Sequence, residues 1–447
     1  GKTKLIEAIT GVNSDRLPEE KNRGMSIDLG FAYHDLGNGV ILNFIDVPGH
    51  ERFINNLLSG FSNVDLGLLV IAADDGPMPQ TEEHLSILQL LQVKNCIIVL
   101  TKIDKVNQKR LDNVCCLIKK MMHKTIFSDA EIFHISNKTS QGIDNLVSHL
   151  KIIALNYHHK EVNGNFRLSV DRRFLVKGAG IVITGTVVSG EVSVGEELIH
   201  SKSGESLKIR AIHSQSKKSK NGIQGHRCSL NITGQKITID KISRGDWILS
   251  KNVFFVTKRL DAVLSILKNE KKIFKHWTAI HLYLGSGNVT GRIAILGSFS
   301  IKPGEKKIVQ LVLDKPVHAV FDDKFVIRDI SSSRTIGGGY ILDPFAKKNN
   351  NTNFRSFRSE RLKFISPKSS KIVLNNLLLH YIEGIGLKYF LMSRNLTASE
   401  FEKIIEPLDI VTELYKKHKW LILKTNWICL QKIILDKLLK KDQPLSG

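Results

Sequence analysis

An apolar run, residues 40–45, leads directly into the polar sequence Asp46-Val47-Pro48-Gly49-His50. The run follows a glycine-rich turn and is rich in strand-forming residues, so it predicts a buried strand. An acid at the carboxyl end of such a strand can hold Mg²⁺, directly or through water. The glycine lets a backbone N–H approach a terminal phosphate, and the histidine after it can orient an attacking water. Because the same motif is also ordinary turn chemistry, the interpretation depends on supporting motifs elsewhere.

The beginning of the chain supplies a second motif, Gly1-Lys2-Thr3, which runs into a helical pattern. This is the second half of a phosphate-binding loop. Its lysine reaches the β- and γ-phosphates, its threonine coordinates Mg²⁺, and backbone amides at the helix N-terminus face the phosphates. Because the first residue is not Met and lies inside the motif, we expect a fragment that lacks the first strand and half of this loop. We expect such a fragment to bind the nucleotide poorly.

Two further motifs predict that the base of the nucleotide is guanine. Each directly follows an apolar run, and they read Thr101-Lys102-Ile103-Asp104 and Ser136-Asn137-Lys138. The aspartate can accept hydrogen bonds from the ring N–H and the exocyclic amine of guanine, a pair of donors that adenine lacks. Backbone amides of the second motif can meet the guanine carbonyl. Because every motif stands at the carboxyl end of a strand, we predict one nucleotide site along one edge of an open α/β sheet.

The patterns along the chain predict several domains. Apolar strands alternate with helical patterns over residues 1–158, which is typical of an α/β domain with a mostly parallel sheet. Short strands punctuated by glycines then predict two β-barrels, at residues 164–252 and 255–345. Within the second barrel, the glycine-containing stretches 285–287 and 337–339 are interpreted as turns.

The C-terminal part changes to helical periodicity after a polar linker. Residues 352–431 predict a winged helix, with wing strands near 421–423 and 427–430. Residues 432–447 are interpreted as the opening helix of a second, truncated winged helix. The predicted fold class is therefore an α/β P-loop GTPase domain followed by two β-barrels and a C-terminal winged-helix (α+β) region.

Charge is distributed unevenly along the chain. Residues 1–160 carry 17 Lys and Arg against 18 Asp and Glu, whereas residues 161–447 carry 48 against 25. The basic remainder favours RNA as a partner, although a proteome with basic surfaces throughout gives the same excess.

Five cysteines show no metal-binding spacing, and the longest apolar run, residues 66–73, is far shorter than the roughly 20 residues of a membrane span. We therefore expect a monomeric cytoplasmic protein with no membrane partner.

Longer segments of the chain carry a family resemblance. They are residues 9–31, 46–51 and 74–76, the first-barrel segments 171–180, 184–192 and 244–247, and residues 326–330 with the glycines that follow. Together they resemble the translational GTPases of the elongation factor Tu group, and more narrowly the selenocysteine-specific elongation factors. The resemblance covers residues 1–343 and is thinner through the C-terminal helices.

The resemblance implies a GTPase that converts GTP to GDP and phosphate. His50 would position the attacking water, and Thr3, Ser26 and Asp46 would hold Mg²⁺. The family usually has threonine at the position of Ser26, and serine keeps the required oxygen. Taken together, the motifs and the resemblance assign the GTP contacts to Gly1, Lys2, Thr3, Asp46, Gly49, Thr101, Lys102, Asp104, Ser136, Asn137 and Lys138.

The resemblance also implies a selenocysteine pocket formed by Asp171, Arg172 and Arg244. A selenol is more acidic than a thiol, so the side chain carried by the tRNA is anionic near neutral pH, whereas serine is neutral. Fixed positive charge would then select the anion. The alternative is that the two arginines form ordinary ion pairs at the surface or between the two barrels.

The implied function is delivery of selenocysteinyl-tRNA to the ribosome at recoded UGA codons. In the full-length protein a last winged helix would grip an mRNA hairpin, and we expect this chain to lack that module. Two alternatives stay open. One is a general elongation or initiation-type translational GTPase, which a comparison of seryl- and selenocysteinyl-tRNA distinguishes. The other is a GTP-independent RNA-tethering protein with a vestigial GTPase domain, which replacement of His50 by alanine tests.

Overall fold

The structure is a computed structural model that describes residues 1–15, 20, 26–37, 39–49, 56, 64–157, 161–348, 358, 361–415 and 418–441. Its first region is an α/β domain. The helices are α1 (Lys2–Thr10), α2 (Pro79–Leu90), α3 (Gln108–Met122) and α4 (Ile143–Leu155). The strands are β1 (Gly30–Asp35), β2 (Ile41–Asp46), β3 (Leu66–Ala72), β4 (Asn95–Thr101) and β5 (Ile132–His134). Strands β3, β4 and β5 are parallel, whereas β1 and β2 form an antiparallel hairpin. The predicted α/β class is confirmed.

Alternate residues of the central strand β4 enter two separate hydrophobic cores. Ile98 and Leu100 pack with α2 and α3, whereas Ile97 and Val99 pack with α1 and α4. Successive side chains of a strand point to opposite faces, so a strand covered by helices on both faces is apolar at every position. This layering brings the carboxyl ends of β3, β4 and β5 to one edge, where the polar motifs begin.

The second region is a small β-barrel. Its strands are β6 (Arg167–Val176), β7 (Gly180–Ser189), β8 (Glu191–Ser193), β9 (Glu197–His200), β10 (Ser206–Ser214), β11 (Lys217–Ser219), β12 (Asn221–Ile223), β13 (Arg227–Thr233) and β14 (Trp247–Leu249). Strand β9 pairs with both β10 and β14, and this double pairing closes the sheet. Buried aliphatic side chains fill the interior.

The third region is a closed six-stranded barrel in the order β15-β20-β18-β17-β21-β22. Its strands, with one short pair beside them, are β15 (Thr257–Ile266), β16 (Phe274–Lys275), β17 (Thr278–Leu284), β18 (Gly287–Ile295), β19 (Ser300–Ile301), β20 (Lys306–Val317), β21 (Lys324–Asp329) and β22 (Thr335–Asp343).

The glycines of the second barrel have two different structural roles. Residues 285–286 connect β17 and β18, as predicted. The turn predicted at 337–339 was wrong, because these glycines lie inside β22. A Cβ atom on Gly339 would lie 1.8 Å from the carbonyl oxygen of Val263, and one on Gly337 would lie 2.3 Å from that of Ser265. The triplet therefore permits close approach of two backbones, which no other residue allows.

The C-terminal region combines helices with a small sheet. Its elements are α5 (Ser370–His380), β23 (Ile385–Gly386), α6 (Leu387–Arg394), α7 (Ala398–Ile405), β24 (Ile410–Tyr415), β25 (His418–Leu423) and α8 (Lys424–Lys441). The sheet order is β23-β25-β24. Whether this region acts as a winged helix stays a prediction. In the described part of the chain, no helix is long and apolar enough to cross a membrane.

Two C-terminal predictions were wrong. The wing strand predicted at 427–430 and the helix start predicted at 432 both fall inside α8, which is one continuous helix. The hairpin instead pairs β24 with β25. A short apolar run does not distinguish helix from strand by periodicity, and here the run belongs to a longer helix. The domain boundary predicted at residue 431 therefore falls within a single element.

Helix α2 of the α/β domain packs against the second barrel. Ile87 and Leu90 pack against Tyr283 and Val326 across the interface. Beside them, Arg328 of β21 donates a 2.8 Å hydrogen bond to Glu83. The side chain of Arg328 is 1% exposed, so its charge depends on this partner and on neighbouring carbonyl groups.

Replacing Glu83 with Ala is expected to lower the free energy of unfolding by roughly 2 kcal/mol, because it leaves a buried guanidinium without its counter-charge. The matched control is Glu82→Ala, which removes an exposed carboxylate one position away on the same helix. Urea-induced unfolding of both variants measures the effect. Equal losses in the two variants would exclude a specific contribution of the Glu83–Arg328 pair.

Candidate functional site

Hydroxyl and carboxylate groups meet where α1 begins and β2 ends. Thr3 donates a 2.7 Å hydrogen bond to Asp46 Oδ2, and Ser14 donates one of the same length to the same oxygen. Ser26 donates to Asp15 over 2.8 Å, and its Oγ lies 2.9 Å from Thr3 Oγ1. The structure therefore brings together Thr3, Ser26 and Asp46, the three residues predicted to hold Mg²⁺.

The proton balance of this cluster fits a cation. A hydroxyl group has one proton to donate. Thr3 and Ser26 have two protons for three contacts, namely with Asp46, with Asp15 and with each other at 2.9 Å, so beside ionised carboxylates one of these contacts joins two lone pairs. A positive ion stabilises such a pair of oxygens.

The surroundings of Asp46 also indicate that a cation completes this site. Its residue is 2% exposed, and among the described residues its Oδ1 has no hydrogen-bond partner. Burial raises the pKa of its carboxyl group, although hydrogen bonds from Ser14 and Thr3 and the charge of Lys2 act in the opposite direction. A buried carboxylate with one oxygen unsatisfied is costly unless a cation or donor completes it. The oxygen-only donor set suits Mg²⁺, which binds few protein groups and keeps waters and phosphate oxygens as further ligands.

Within the described residues, no group of three or more His, Cys, Asp or Glu side chains is arranged to hold a metal ion. The candidate metal site of the α/β domain is the hydroxyl-rich cluster at Thr3, because its hydroxyl oxygens and the carboxylates of Asp15 and Asp46 converge there.

The lysine of the phosphate motif lies beside Gly49. A Cβ atom on Gly49 would lie 2.5 Å from Lys2 Nζ, so the glycine makes room for the ammonium group. Gly1 precedes the first turn of α1, where backbone N–H groups have no partner within the helix. Lysine, free N–H groups and glycine thus surround a site suited to phosphate. His50 lies outside the described residues.

The predicted base-binding motifs meet at the ends of β4 and β5. Ser136 donates a 2.6 Å hydrogen bond to Asp104, and this bond is the main cause that lowers the pKa of the Asp104 carboxyl group. The group is thereby held ionised, as a double acceptor must be. Lys102 has a left-handed backbone, with φ of 61°, and its Nζ lies 2.8 Å from Asp74 and 3.6 Å from Asp75.

Three other residues of these motifs have different surroundings. Thr101 is buried, and its hydroxyl donates to the Ile71 carbonyl within the sheet, so it does not face the base edge. Asn137 has a buried Oδ1 without a partner among the described residues. Lys138 is exposed.

The first barrel presents a second polar site toward the α/β domain. Arg172 donates from Nε and Nη2 to Asp28 Oδ2, at 3.0 and 2.6 Å, and also to the Leu29 carbonyl. Arg244 lies 3.9 Å from the other oxygen of Asp28 and donates to Asn56. The two predicted pocket arginines thus converge on one carboxylate of another domain.

The third predicted pocket residue, Asp171, faces a different arginine. Arg227 donates two hydrogen bonds to it, at 2.9 and 3.0 Å, and Thr184 donates a third. A β-bulge in β6 opposite β7 accompanies this position, since Val170 pairs with Gly185 and Arg172 with Thr184. A bulge inserts one residue and turns the neighbouring side chains, a feature often found beside functional sites.

The structure adds residues that sequence reasoning did not assign to a site. Around the metal cluster they are Ser14 and Asp15, and around the arginines they are Asp28, Phe31 and Arg227. The guanidinium of Arg227 lies 3.7 Å from the centroid of the Phe31 ring. Asp28 and Phe31 stand in the segment that carried the family resemblance, but no local pattern linked them to a barrel more than 140 positions away.

Comparison with known proteins agrees with this architecture. Residues 1–155 match the family described as "Elongation factor Tu GTP binding domain", and residues 261–348 match "Selenocysteine-specific elongation factor, beta-barrel domain". The selenocysteine-specific elongation factor of Escherichia coli K12 is 40% identical over 342 residues, which is 76% of this chain and 53% of that protein. The Haemophilus influenzae factor is 34% identical over 414 residues, 92% of this chain and 64% of that protein.

Solved structures show the same similarity. A crystal structure of bacterial selenocysteine-specific elongation factor EF-Sec has a TM-score of 0.81 and 28% identity, and the match covers all of this chain and 71% of that one. The Methanococcus maripaludis factor SelB, solved in complex with the GTP analogue GPPNHP, has a TM-score of 0.65 and 27% identity, with 77% of this chain and 76% of that chain covered.

These findings identify the class of the first domain and the proteins to which the chain is related. Residues 1–155 are a GTP-binding domain of the elongation factor Tu type. The chain is homologous to the selenocysteine-specific elongation factors. It spans 53 to 64% of the length of three curated relatives that it matches.

Proposed function

We propose that the protein is a GTP-dependent elongation factor that binds selenocysteinyl-tRNA and delivers it to the ribosome at recoded UGA codons. Hydrolysis of GTP to GDP and phosphate would accompany correct docking. The observation that carries the proposal is the convergence of Arg172 and Arg244 on one carboxylate beside the candidate nucleotide site. The names of the homologous proteins support it.

In this proposal the residues around Thr3 bind the phosphates. Lys2 would neutralise the β- and γ-phosphates, and Gly49 would let a backbone N–H reach the γ-phosphate. Thr3 and Ser26 would hold Mg²⁺, with Asp46 behind them. The bound ion would neutralise phosphate charge, which with positioning makes up most of the catalysis of phosphoryl transfer.

The base and the attacking water have their own proposed residues. Asp104 would select guanine, and the segment Ser136-Asn137-Lys138 would offer backbone amides to the guanine carbonyl. Lys102 would support the base-binding loop through its contacts with the acids after β3. We assign the positioning of the attacking water to His50. Thr101 would act only by fixing the end of β4.

The barrel residues would recognise the amino acid on the tRNA. Arg172 and Arg244 carry the positive charge that an anionic selenolate requires, while Asp171 and Arg227 neutralise each other beside them. A neutral serine hydroxyl in the same place would gain no such attraction from the two arginines, and this difference in electrostatic attraction creates specificity.

The remaining partners follow from charge. The excess of 48 basic over 25 acidic residues after residue 160 supports contact of the later domains with RNA. We propose the ribosome as a partner and, for the full-length protein, an mRNA hairpin.

We further propose a monomer in the cytoplasm, where the five cysteines, all described and all free, would stay reduced.

Replacing Arg172 with Gln is expected to weaken selenocysteinyl-tRNA binding by roughly 30-fold or more, since losing one partner of a desolvated charge pair costs about 2 kcal/mol or more. Binding of seryl-tRNA should change less than about threefold, because serine has no charge for Arg172 to attract. The measurement is equilibrium binding of both tRNAs with a non-hydrolysable GTP analogue present.

The matched control is Arg210→Gln, which removes an exposed arginine of the same barrel. It should affect the two tRNAs equally and weakly. If Arg172→Gln also weakened both tRNAs equally, Arg172 would contact tRNA phosphates or stabilise the interface instead of selecting the amino acid, and the selenocysteine pocket would be excluded.

A further inference from the structure

Asp28 lies at the contact between the α/β domain and the first barrel, where its carboxylate pairs with the two arginines of the proposed pocket. Both of its oxygens face arginines, one at 2.6 and 3.0 Å from Arg172 and the other at 3.9 Å from Arg244. Its side chain is 30% exposed, so the pair is only partly screened by water. An aspartate carboxylate carries the same single negative charge as a selenolate.

The neighbouring acid is not available for the same task. Asp171 accepts two hydrogen bonds from Arg227 and one from Thr184. Arg227 in turn covers the ring of Phe31. Among the described residues, Asp28 is the carboxylate that pairs with both Arg172 and Arg244, although the charge of Asp171 also acts on Arg244.

The backbone on either side of Asp28 connects the arginines to the candidate metal site. Ser26, two residues earlier, touches Thr3 and Asp15. Glu20 accepts hydrogen bonds from the backbone N–H groups of Ile27 and Asp28, at 2.9 and 3.0 Å. The segment 26–29 is thus held by the metal cluster at one end and by Arg172 at the other.

The contacts of Ser26 suggest how this segment moves. Its hydroxyl proton is directed at Asp15 in the structure. A hydroxyl oxygen can ligate an ion while its proton stays on Asp15, so Mg²⁺ bound between Thr3 and Ser26 would fix Ser26 without breaking this bond. Asp28 lies two residues further along the chain, so fixing Ser26 on an ion would act on the position of that carboxylate.

We propose that Asp28 is an internal anion that competes with the amino-acid side chain of the tRNA for Arg172 and Arg244. Ordering of Ser26 on Mg²⁺ and the γ-phosphate withdraws Asp28 and opens the pocket, whereas in the GDP state Asp28 stays on the arginines. This inference rests on the proposed function and names the residue that couples its two sites. Coupling of this kind is reciprocal between the two ligands.

The test is the affinity of the full-length protein for selenocysteinyl-tRNA, measured with GDP and with a non-hydrolysable GTP analogue. Asp28→Asn removes the charge with little change in shape. It is expected to strengthen binding in the GDP state by about tenfold and to change binding in the GTP state by less than about twofold. Seryl-tRNA, which has no competing charge, should bind the variant and the wild type equally.

The matched control is Asp35→Asn. Asp35 ends strand β1, which begins two residues after Asp28. It also pairs with a basic residue of the first barrel, Lys217, but the two charged groups are 3.8 Å apart and largely exposed. It should leave both nucleotide states unchanged. Unchanged or weaker binding of selenocysteinyl-tRNA by Asp28→Asn in the GDP state would overturn the proposal.

A second measurement needs no variant. In the wild type, selenocysteinyl-tRNA is expected to weaken GDP binding by about tenfold more than seryl-tRNA does, because only the anionic side chain displaces Asp28. Equal effects of the two tRNAs on GDP would contradict competition by Asp28. If wild-type protein with the GTP analogue bound both tRNAs equally, the proposed function itself would fail, which is a separate outcome.

Discussion

Replacing Asp104 with Asn is expected to lower the affinity for GTP by roughly a hundredfold to ten-thousandfold, because two hydrogen bonds to a charged acceptor are lost, at about 1.5–3 kcal/mol each. The carboxylate is placed for this role, since Ser136 holds one oxygen and favours the ionised form. An asparagine keeps one acceptor but turns an amide donor toward the guanine donors. Xanthine has an oxygen in place of the exocyclic amine, so XTP should bind the variant better than it binds the wild type.

Titration of both proteins with labelled GTP and XTP measures this exchange. Asp112→Asn is the matched control, because Asp112 is an exposed aspartate of the same domain that accepts a hydrogen bond from a neutral side chain. It should leave the preference for GTP intact. A GTP preference retained by Asp104→Asn would show that the base is selected elsewhere.

Replacing Asp46 with Asn is expected to lower Mg²⁺-dependent GTP affinity or turnover by roughly 10- to 100-fold, the usual effect of losing a group that orients metal ligands. The stability of the metal-free protein should not decrease in the same way. Because burial raises the pKa of Asp46, its ionised form at neutral pH destabilises the metal-free fold, and this cost decreases as the pH falls through the folded-state pKa. The neutral variant should therefore be at least as stable as the wild type without metal.

Thermal unfolding with and without Mg²⁺ and nucleotide separates the two effects. The wild type should gain stability from the ligands, and the variant should gain much less. A variant that lost stability without metal but kept its response to Mg²⁺ would exclude Asp46 from the metal site.

The nucleotide site could be predicted largely from local sequence. Asp46 ends the apolar strand β2 and Asp104 follows the apolar strand β4 by three residues, and ligands of α/β domains bind beyond the carboxyl ends of such strands. The error at residues 427–430 arose because local sequence was not sufficient to assign the element there. Trp427 and its apolar neighbours form too short a run to reveal a helical period, and only the continuous helix from Lys424 decides the assignment.

The arginine cluster depends on contacts that no local pattern encodes. The sequence pointed to Arg172 and Arg244 through family resemblance, yet their shared partner, Asp28, belongs to a different domain. The ion-pair alternative raised from sequence placed the arginines at the surface or between the two barrels, whereas this ion pair joins the first barrel to the α/β domain, and the pocket role of the arginines stays a prediction. The bulge at Asp171 likewise depends on pairing with β7 and has no signal of its own.

The central claim is that the protein selects selenocysteinyl-tRNA through fixed positive charge. Its most direct test is the ratio of equilibrium affinities for selenocysteinyl-tRNA and seryl-tRNA, measured on the wild-type protein with a GTP analogue. We predict a ratio of about 100 or more, equivalent to about 2.7 kcal/mol. Equal affinities would contradict the account and would indicate a general translational GTPase.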